Sequence, residues 1–155
     1  RSIRKSKKKD LEFEEIEQFE EYWEILRQNL EKYHKEPTHT LDEILELKER
    51  FPNKIKLFVV KHNDQIIAGS VVFVCNERGL HTFYIAQDYD YQELRAQNYL
   101  FDQIIQWGNE HDFEYLNLGI STEEGGREIN WGLFRYKEGY GARGILRKTY
   151  ELDLD

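Results

Sequence analysis

Hydrophobic residues recur at steps of three and four positions along the first third of the chain. One such set is Phe19, Tyr22, Trp23, Leu26, Leu30 and Tyr33. This is the period of a helix with one buried face, so the spacing predicts a first helix. Thr40 and Glu43 have the spacing of a capping box, which predicts a second helix that Pro52 ends. Its inward positions would be Leu41, Ile44, Leu45 and Phe51.

The middle of the chain has the pattern of β-strands. The segments KIKLFVVK, QIIAGSVVFVC and GLHTFYIA are rich in β-branched and aromatic residues. The sequences HND and NERG separate them, and both are typical of turns. These segments predict an antiparallel meander of three strands. The earlier segment LEFEEIE predicts one further short strand.

The last third of the chain is predicted to contain both helices and strands. A third helix is predicted on Leu94, Leu100, Phe101, Ile104, Ile105 and Trp107. The segment FEYLNLGI then predicts a strand, residues 130–138 a short helix ended by Gly139, and ILRKTYELDL a last strand. This order of elements indicates an α+β domain with a mostly antiparallel central sheet flanked by helices.

Composition limits the class of protein. The chain has 155 residues, about the length of one domain, and no apolar run approaches the roughly 20 residues of a membrane span. Its one cysteine, Cys75, lies in the apolar run SVVFVCN, so we expect a buried, inert thiol. A reducing compartment, and therefore the cytoplasm, is expected. The charged start RSIRKSKKK does not have the pattern of a secretory signal.

Charge is distributed unevenly along the chain. Of the 22 basic residues, six lie within residues 1–9, so the remaining 16 face 30 acidic residues, a net charge of −14. An acidic body repels nucleic acid, so we do not expect nucleic acid to be a partner. We expect residues 1–9 to be a basic linker or the tail of a preceding domain, and residues 10–155 to be one domain. The sequence contains no methionine, which also suggests part of a longer protein.

The segment GISTEEGGREINWGLFRYKEGYGARG contains seven of the ten glycines. Glycine lets the backbone approach a ligand closely, and the segment follows a predicted buried strand. Its candidate binding residues are Ser121, Thr122, Asn130, Lys137 and Arg143. The alternative is architectural: Gly139 and Gly141 would only end a helix and turn the chain, Asn130 would be a helix cap, and Lys137 would lie on a solvated face.

This segment, together with HTFYIAQ and LEKYHKEPTHTL, resembles the FemAB-like branch of the GNAT acyltransferase superfamily. The resemblance runs from about Ser2 to Leu154 and implies a three-layer fold with helices on both faces of the sheet. Members of this branch often carry two such domains in tandem. The opening IRKSKKKDLEFEEI resembles the junction between them, so the resemblance implies a preceding tandem domain.

The resemblance also implies a chemistry, the direct attack of an amine on an acyl carbonyl. The cleft would open where the parallel strands LHTFYIA and EYLNLGI splay apart. Backbone amides beside residues 85–87 would polarise the carbonyl, with Gln87 among the binding residues, and a tyrosine or a carboxylate would handle protons. The catalytic candidates are Tyr84, Asp88 and Glu123. Alternatives remain, because either Tyr84 or Phe83 must be a core residue and Asp88 could simply begin a loop or a helix.

The acyl donor is left open by one departure from the superfamily pattern. Enzymes that use acetyl-coenzyme A usually hold its pyrophosphate on a glycine-bearing loop before the third helix. Here that stretch reads AQDYDYQELRAQNY, without glycine, and Asp88, Asp90 and Glu93 would repel a pyrophosphate. Acetyl-coenzyme A or another acyl donor therefore remains possible, although the pyrophosphate loop is not matched.

His34 and His39 would line the acceptor cleft, because the loop between the first two helices borders it in this fold. Their spacing across a proline-containing loop does not suggest a metal site, so no metal is expected. The expected function is acyl or aminoacyl transfer to a small-molecule or peptide amine. The alternative is a catalytically silent GNAT-like domain that binds a ligand or supports a tandem partner.

Overall fold

The computed structural model describes residues 10–152, so the predicted basic linker at residues 1–9 lies outside the described residues. The chain divides into two compact units, Arg1–Gly119 and Ile120–Asp155. The N-terminal unit contains a five-stranded sheet in sequence order. Its strands are β1 (Glu12–Ile16), β2 (Ile55–His62), β3 (Gln65–Val74), β4 (Gly79–Gln87) and β5 (Tyr115–Asn117). All neighbours are antiparallel except β4 and β5, which are parallel. This confirms the α+β class and the mostly antiparallel sheet.

The predicted meander forms because its turns suit the twist of the strands. The turn between β2 and β3 consists of Asn63 and Asp64, whose φ angles are 50° and 64°. A two-residue hairpin turn with two positive φ angles matches the right-handed strand twist, and Asn and Asp tolerate that conformation. The local sequence HND therefore fixes the register of β2 on β3, apart from a shift after Val60.

Three helices cover the two faces of this sheet. Helices α1 (Glu20–Glu31) and α2 (Leu41–Arg50) pack on one face, and α3 (Ala96–Glu110) packs on the other. The buried residues of the first face include Tyr22, Trp23 and Leu57. The apolar helix positions and the alternating strand positions meet in these two clusters, which produces the predicted three layers. No helix within residues 10–152 is both long enough and apolar enough to cross a membrane.

The capping box at the start of α2 is present. Thr40 Oγ1 accepts a hydrogen bond from the Glu43 amide at 3.2 Å, and Glu43 Oε2 accepts one from the Thr40 amide at 2.7 Å. The hydrogen bond from the Thr40 backbone, followed by that from its hydroxyl, lowers the pKa of the Glu43 carboxyl. The carboxylate is therefore favoured in the folded state.

Replacement of Thr40 by alanine should lower the free energy of unfolding by about 1 kcal/mol, because one amide at the start of α2 loses its acceptor. Urea denaturation at pH 7 measures this, with Thr38→Ala at an exposed loop position as the control. The pKa of Glu43 is lower in the folded than in the unfolded protein. Its contribution is therefore present above about pH 4.3 and lost as the pH falls further. An equal loss of stability in both variants would contradict the role of this cap.

Several expectations about burial are wrong. Tyr33 is 67% exposed because α1 ends before it at Glu31, and Phe51 is 52% exposed because it lies beyond the last turn of α2. Ile105 is exposed on the outer side of α3. Cys75 is exposed as well, because β3 ends at Val74 and the cysteine lies in the following turn rather than in the core.

The C-terminal unit is small. It contains a two-stranded antiparallel sheet of β6 (Thr122–Glu123) and β7 (Glu128–Ile129), followed by helix α4 (Trp131–Glu138). Gly125 and Gly126 turn the chain between the strands with φ angles of 66° and 95°, which glycine adopts without strain.

The prediction of a last strand at ILRKTYELDL is wrong for the residues that the structure describes. Residues 145–152 form no strand, and the remainder of that segment lies outside the described residues. A strand requires a neighbour to complete its backbone hydrogen bonds, and within this unit β6 pairs only with β7. The alternating sequence pattern therefore did not lead to a strand.

Candidate functional site

Strands β4 and β5 pair over only part of the length of β4, which leaves the rest of that edge of β4 unpaired. Their parallel pairing covers only three residue pairs and ends at His81 opposite Asn117. Strand β4 continues to Gln87, so its second half has no partner in β5. The Asn117 carbonyl accepts a hydrogen bond from Thr82 Oγ1 at 3.2 Å, at the point where the two strands separate. The two strands named in the sequence prediction are therefore parallel neighbours whose pairing stops after the first third of β4.

A bulge lies in β4 just beyond this point. Val71 pairs with Tyr84 and Val72 pairs with Thr82, so Phe83 is an additional residue without an opposite partner in β3. A bulge changes the direction of the following side chains. Phe83 and Tyr84 consequently pack on the same cluster, where Phe83 stacks on Phe73 at 4.7 Å between ring centres. Tyr84 is buried in this core and Phe83 is only partly buried against it, which confirms that one of the pair is a core residue.

Tyr84 holds His39. The Tyr84 side chain is 7% exposed and its ring packs edge-on against Trp23. Its hydroxyl oxygen accepts a hydrogen bond from the His39 backbone amide at 2.9 Å and lies 2.8 Å from His39 Nδ1. If Nδ1 carried the proton, the Tyr84 hydroxyl hydrogen would lose this partner in the core, at a cost of about 1–3 kcal/mol. In the neutral imidazole, the arrangement that keeps this hydrogen bond has Tyr84 donating to Nδ1 and the ring proton on Nε2.

His39 lines a cavity of about 440 Å³ between α1 and the loop before α2. Its wall includes the side chains of Glu20, Glu24 and Glu36. The one basic residue in the wall, Arg27, donates to Glu24 at 3.2 Å. Three carboxylates and a single guanidinium make the cavity acidic, so it suits a cationic ligand. The sequence analysis named His39 for this cleft and missed the three glutamates.

The end of β4 is held by a residue that the sequence analysis also missed. The Asn29 side chain on α1 donates to the Gln87 carbonyl at 2.8 Å and accepts from the Gln87 amide at 3.2 Å. The Gln87 amide, one of those expected to polarise an acyl carbonyl, is thus already bound. No motif marks Asn29, since its partner lies 58 positions along the chain.

The other N-terminal candidates are separate from the cavity wall. Asp88 Oδ1 accepts from the Asp90 amide at 2.9 Å and begins the 3-10 turn Tyr89–Leu94. This geometry agrees with the alternative interpretation of Asp88 as the start of a helical turn. His34 is exposed after α1 with a φ of 53° and is absent from the residues that line the cavity.

In the C-terminal unit the candidate residues form a local network around Asn130. The Asn130 side chain accepts from the Leu133 amide at 2.9 Å, which makes it the cap of α4, and it donates to Glu123 Oε1 at 2.7 Å. The Ser121 carbonyl accepts from the Asn130 amide at 3.0 Å, and Thr122 pairs with Ile129. The architectural interpretation of Asn130 is therefore confirmed.

The two basic candidate residues of this unit, Lys137 and Arg143, differ in their contacts. Lys137 Nζ donates to the Ile120 carbonyl, and burial lowers the pKa of Lys137. Arg143 is exposed, and its guanidinium donates to the Ala142 carbonyl at 3.3 Å. Lys137 is thus partly buried, whereas Arg143 is exposed.

The start of α3 is where the superfamily pattern would place a pyrophosphate. Asp88, Asp90 and Glu93 precede the helix, and Arg95 is its N-terminal flanking residue. A stretch with three carboxylates and one guanidinium fits a doubly charged pyrophosphate poorly. Within residues 10–152, no group of three or more His, Cys, Asp or Glu side chains is placed to hold a metal ion.

Comparison with known proteins identifies one family. A profile described as "Acetyltransferase (GNAT) domain" matches residues 1–138. No curated protein matches the sequence. A possible acetyltransferase from Clostridium difficile 630 has a similar structure, with a TM-score of 0.71 at 16% identity, and the alignment covers 94% of this chain and 98% of that chain.

Two further structures are similar. AAC(6')-Iy in complex with the bisubstrate analog CoA-S-monomethyl-acetylneamine has a TM-score of 0.65 at 12% identity, with 94% of this chain and 99% of that chain covered. A GNAT family acetyltransferase from Elizabethkingia anophelis with acetyl-CoA bound has a TM-score of 0.55 at 13% identity, with 84% and 74% covered. At these identities the likeness shows a shared fold.

Proposed function

The chain belongs to the GNAT acetyltransferase family, and from this premise we propose that it transfers an acyl group to a cationic amine. GNAT acetyltransferases use acetyl-coenzyme A as their donor. The single observation that carries the proposal is the acidic cavity whose wall is joined to β4 by the contact between His39 and Tyr84. The hydrogen bond between His39 and Tyr84 connects an amine bound there to the strand whose outer edge is unpaired.

The charge of the cavity supports the choice of acceptor. A protonated amine is attracted to the carboxylates of Glu20, Glu24 and Glu36. The Nε2–H of His39 supplies a hydrogen-bond donor for a hydroxyl or carbonyl oxygen of the same molecule. Amino sugars and peptides with a free amino group have this combination.

The proposed reaction is a direct displacement. A cavity carboxylate takes one proton of the bound ammonium group, and the free amine nitrogen forms a bond to the acyl carbonyl carbon. The bond between that carbon and the donor's leaving atom then breaks, and the leaving group departs with its electron pair. It takes up the second proton, which the nitrogen loses as the amide forms. A backbone N–H on the open edge of β4 stabilises the negative charge on the carbonyl oxygen. Tyr84 keeps His39 in place during these steps.

Neutralising the cavity should weaken acceptor binding. With neamine as the acceptor, we expect Glu20→Gln and Glu36→Gln each to raise KM about fivefold, because each removes roughly 1 kcal/mol of attraction. The value of kcat should change less, and the effect should shrink at 1 M salt. Glu77→Gln, in the turn between β3 and β4, is the control. An equal KM in all variants would exclude this cavity as the amine site.

The carboxylates at the start of α3 support a second proposal, that the chain is a catalytically silent GNAT-like domain. If pyrophosphate is repelled there, acetyl-coenzyme A should stabilise the protein no more than acetyl-pantetheine, which has no pyrophosphate. A thermal-shift titration compares them, since a ligand at 100 times its dissociation constant adds about 2.7 kcal/mol. Turnover with either donor would exclude the silent domain.

We also propose that the domain belongs to the FemAB-like branch and follows a tandem partner. Support comes from the glycine-rich segment around α4 and from the resemblance of the opening residues to a domain junction. In that case the acceptor could be a peptide and the donor an aminoacyl group. The length of the native reading frame tests the tandem arrangement, because a preceding domain of similar size is required.

A further inference from the structure

The contact between Asn29 and Gln87 resembles one step of a β-ladder. A carboxamide carries one C=O and one N–H side by side, as a peptide group does, and Asn29 offers both to the backbone of Gln87. The same Asn29 nitrogen also donates to the Ile25 carbonyl at 3.0 Å, one turn earlier on α1. Asn29 thus fills the unpaired edge of β4 at its last residue and ties that residue to the helix.

Strand geometry shows which backbone groups remain. Neighbouring residues of a strand direct their N–H and C=O groups to opposite sides. Gln87 directs its N–H and C=O groups away from β3, towards Asn29. The amide of Asp88 points to the opposite side and donates to the Ile67 carbonyl of β3 at 2.8 Å. By this alternation Ile85 directs its N–H and C=O to the same edge as Gln87. The pairing of β4 with β5 ends before Ile85.

We propose that Asn29 is a positioning residue for acyl transfer, which occupies the Gln87 amide and thereby makes the Ile85 amide the one that binds the acyl carbonyl. This inference rests on the proposed function, since it concerns the donor side of the same reaction. The proposal thus identifies one N–H group, that of Ile85, as the hydrogen-bond donor to the acyl carbonyl oxygen. The proposed function named only the open edge of β4. The proposal also explains why an amide side chain stands at this point on α1.

The chemistry of the side chain makes the proposal specific. Aspartate at position 29 would still accept from the Gln87 amide, but its second oxygen would face the carbonyls of Gln87 and Ile25 without a proton between them. Alanine would leave both groups of Gln87 open to water and to the ligand. Both substitutions should release the end of β4 and admit the acyl carbonyl at the wrong amide.

Nuclear magnetic resonance of the ¹⁵N-labelled protein tests this directly. The probe is acetonyl-pantetheine, a ketone analogue of an acetyl thioester that cannot transfer its acyl group. In the wild-type protein we expect the Ile85 amide resonance to shift on titration and the Gln87 amide to be little affected. In Asn29→Ala, hydrogen exchange at the Gln87 amide should rise at least tenfold, and its resonance should now shift with the probe.

Kinetics supply the second readout. Asn29→Ala and Asn29→Asp should lower kcat at least tenfold while the KM for neamine stays within twofold. Substitution of a residue needed only for folding would not change one of these two constants selectively. Gln106→Ala is the matched control, because its carboxamide also bonds within a helix but on α3. Unchanged kcat in Asn29→Ala, with the Gln87 amide exchanging faster, would overturn the inference and leave the proposed function standing.

The two failures are distinguishable. If the probe shifts the Gln87 amide of the wild-type protein rather than that of Ile85, the role of Asn29 is refuted while donor binding is retained. If the probe shifts no resonance of β4 and no donor is turned over, the proposed function fails, and the inference fails with it.

Discussion

Replacement of Tyr84 by phenylalanine is expected to lower kcat/KM about 100-fold while the protein remains folded. The hydroxyl oxygen of Tyr84 is the common partner of the His39 amide and His39 Nδ1. Without it, His39 loses both its fixed tautomer and its position, and a misplacement of about 1 Å costs roughly this factor in rate. The phenylalanine ring keeps the edge-on contact with Trp23, whose ring centre lies 5.3 Å away, so the core retains its packing.

Tyr91→Phe is the matched control for this prediction. Its hydroxyl also donates a hydrogen bond, to Gln65 Oε1 at 2.9 Å, but it lies away from the cavity wall. This variant should keep its activity, whereas both variants should lose only about 1 kcal/mol of stability.

A double-mutant cycle tests whether the two residues act together. If Tyr84 acts through His39, the double variant Tyr84→Phe, His39→Ala should be no slower than His39→Ala alone. Steady-state kinetics with neamine provide the comparison. Additive losses would show that Tyr84 acts on the substrate by itself, as a catalytic acid.

Local sequence signals predicted the local features well. The capping box of Thr40 and Glu43 and the hairpin turn at Asn63 and Asp64 depend on a few neighbouring residues, so each can be predicted without knowing the fold. The apolar periods also predicted the helices and the strands of the N-terminal unit. Most of the burial errors lie at element ends, where Phe51 and Cys75 continue an apolar pattern one residue beyond α2 and β3. Ile105 lies within α3 but on its outer side.

The candidate site could be predicted only in part, because it is built from distant residues. Tyr84 and His39 were each selected, but their mutual hydrogen bond spans 45 positions and depends on the bulge at Phe83. A bulge is a property of two paired strands and leaves no mark in one of them. Glu20 and Glu24 have the spacing of an ordinary solvated helix face, and only the loop at Glu36 turns them into a cavity wall.

Replacement of Gly69 by alanine is expected to lower the free energy of unfolding by about 3 kcal/mol. A Cβ atom at this position would lie 2.6 Å from Cδ2 of Tyr22 and 3.2 Å from the Phe58 carbonyl oxygen. The Tyr22 side chain is fully buried, so its ring has no space into which it can move, and overpacking of this kind costs about 1–3 kcal/mol or more. Urea denaturation measures the loss.

Gly132→Ala is the control, since its Cβ would meet only Asn130 Oδ1 at 3.4 Å and alanine favours the helix α4. This variant should be as stable as the wild-type protein or more stable. The cause of the Gly69 effect is tested by adding Tyr22→Leu, which removes the ring. If the clash is responsible, the double variant should be less destabilised than the sum of the two single variants, with a coupling above about 1 kcal/mol.

The same substitution should also impair the site. Tyr22 lies on α1, one residue before Trp23, and the helix carries both the cavity wall and Asn29. Because the Tyr22 ring is fully buried against β3, relief of the clash requires movement of α1 away from β3. We expect Gly69→Ala to lower kcat as well as stability, and a variant with lost stability but full kcat would show that α1 does not position the site.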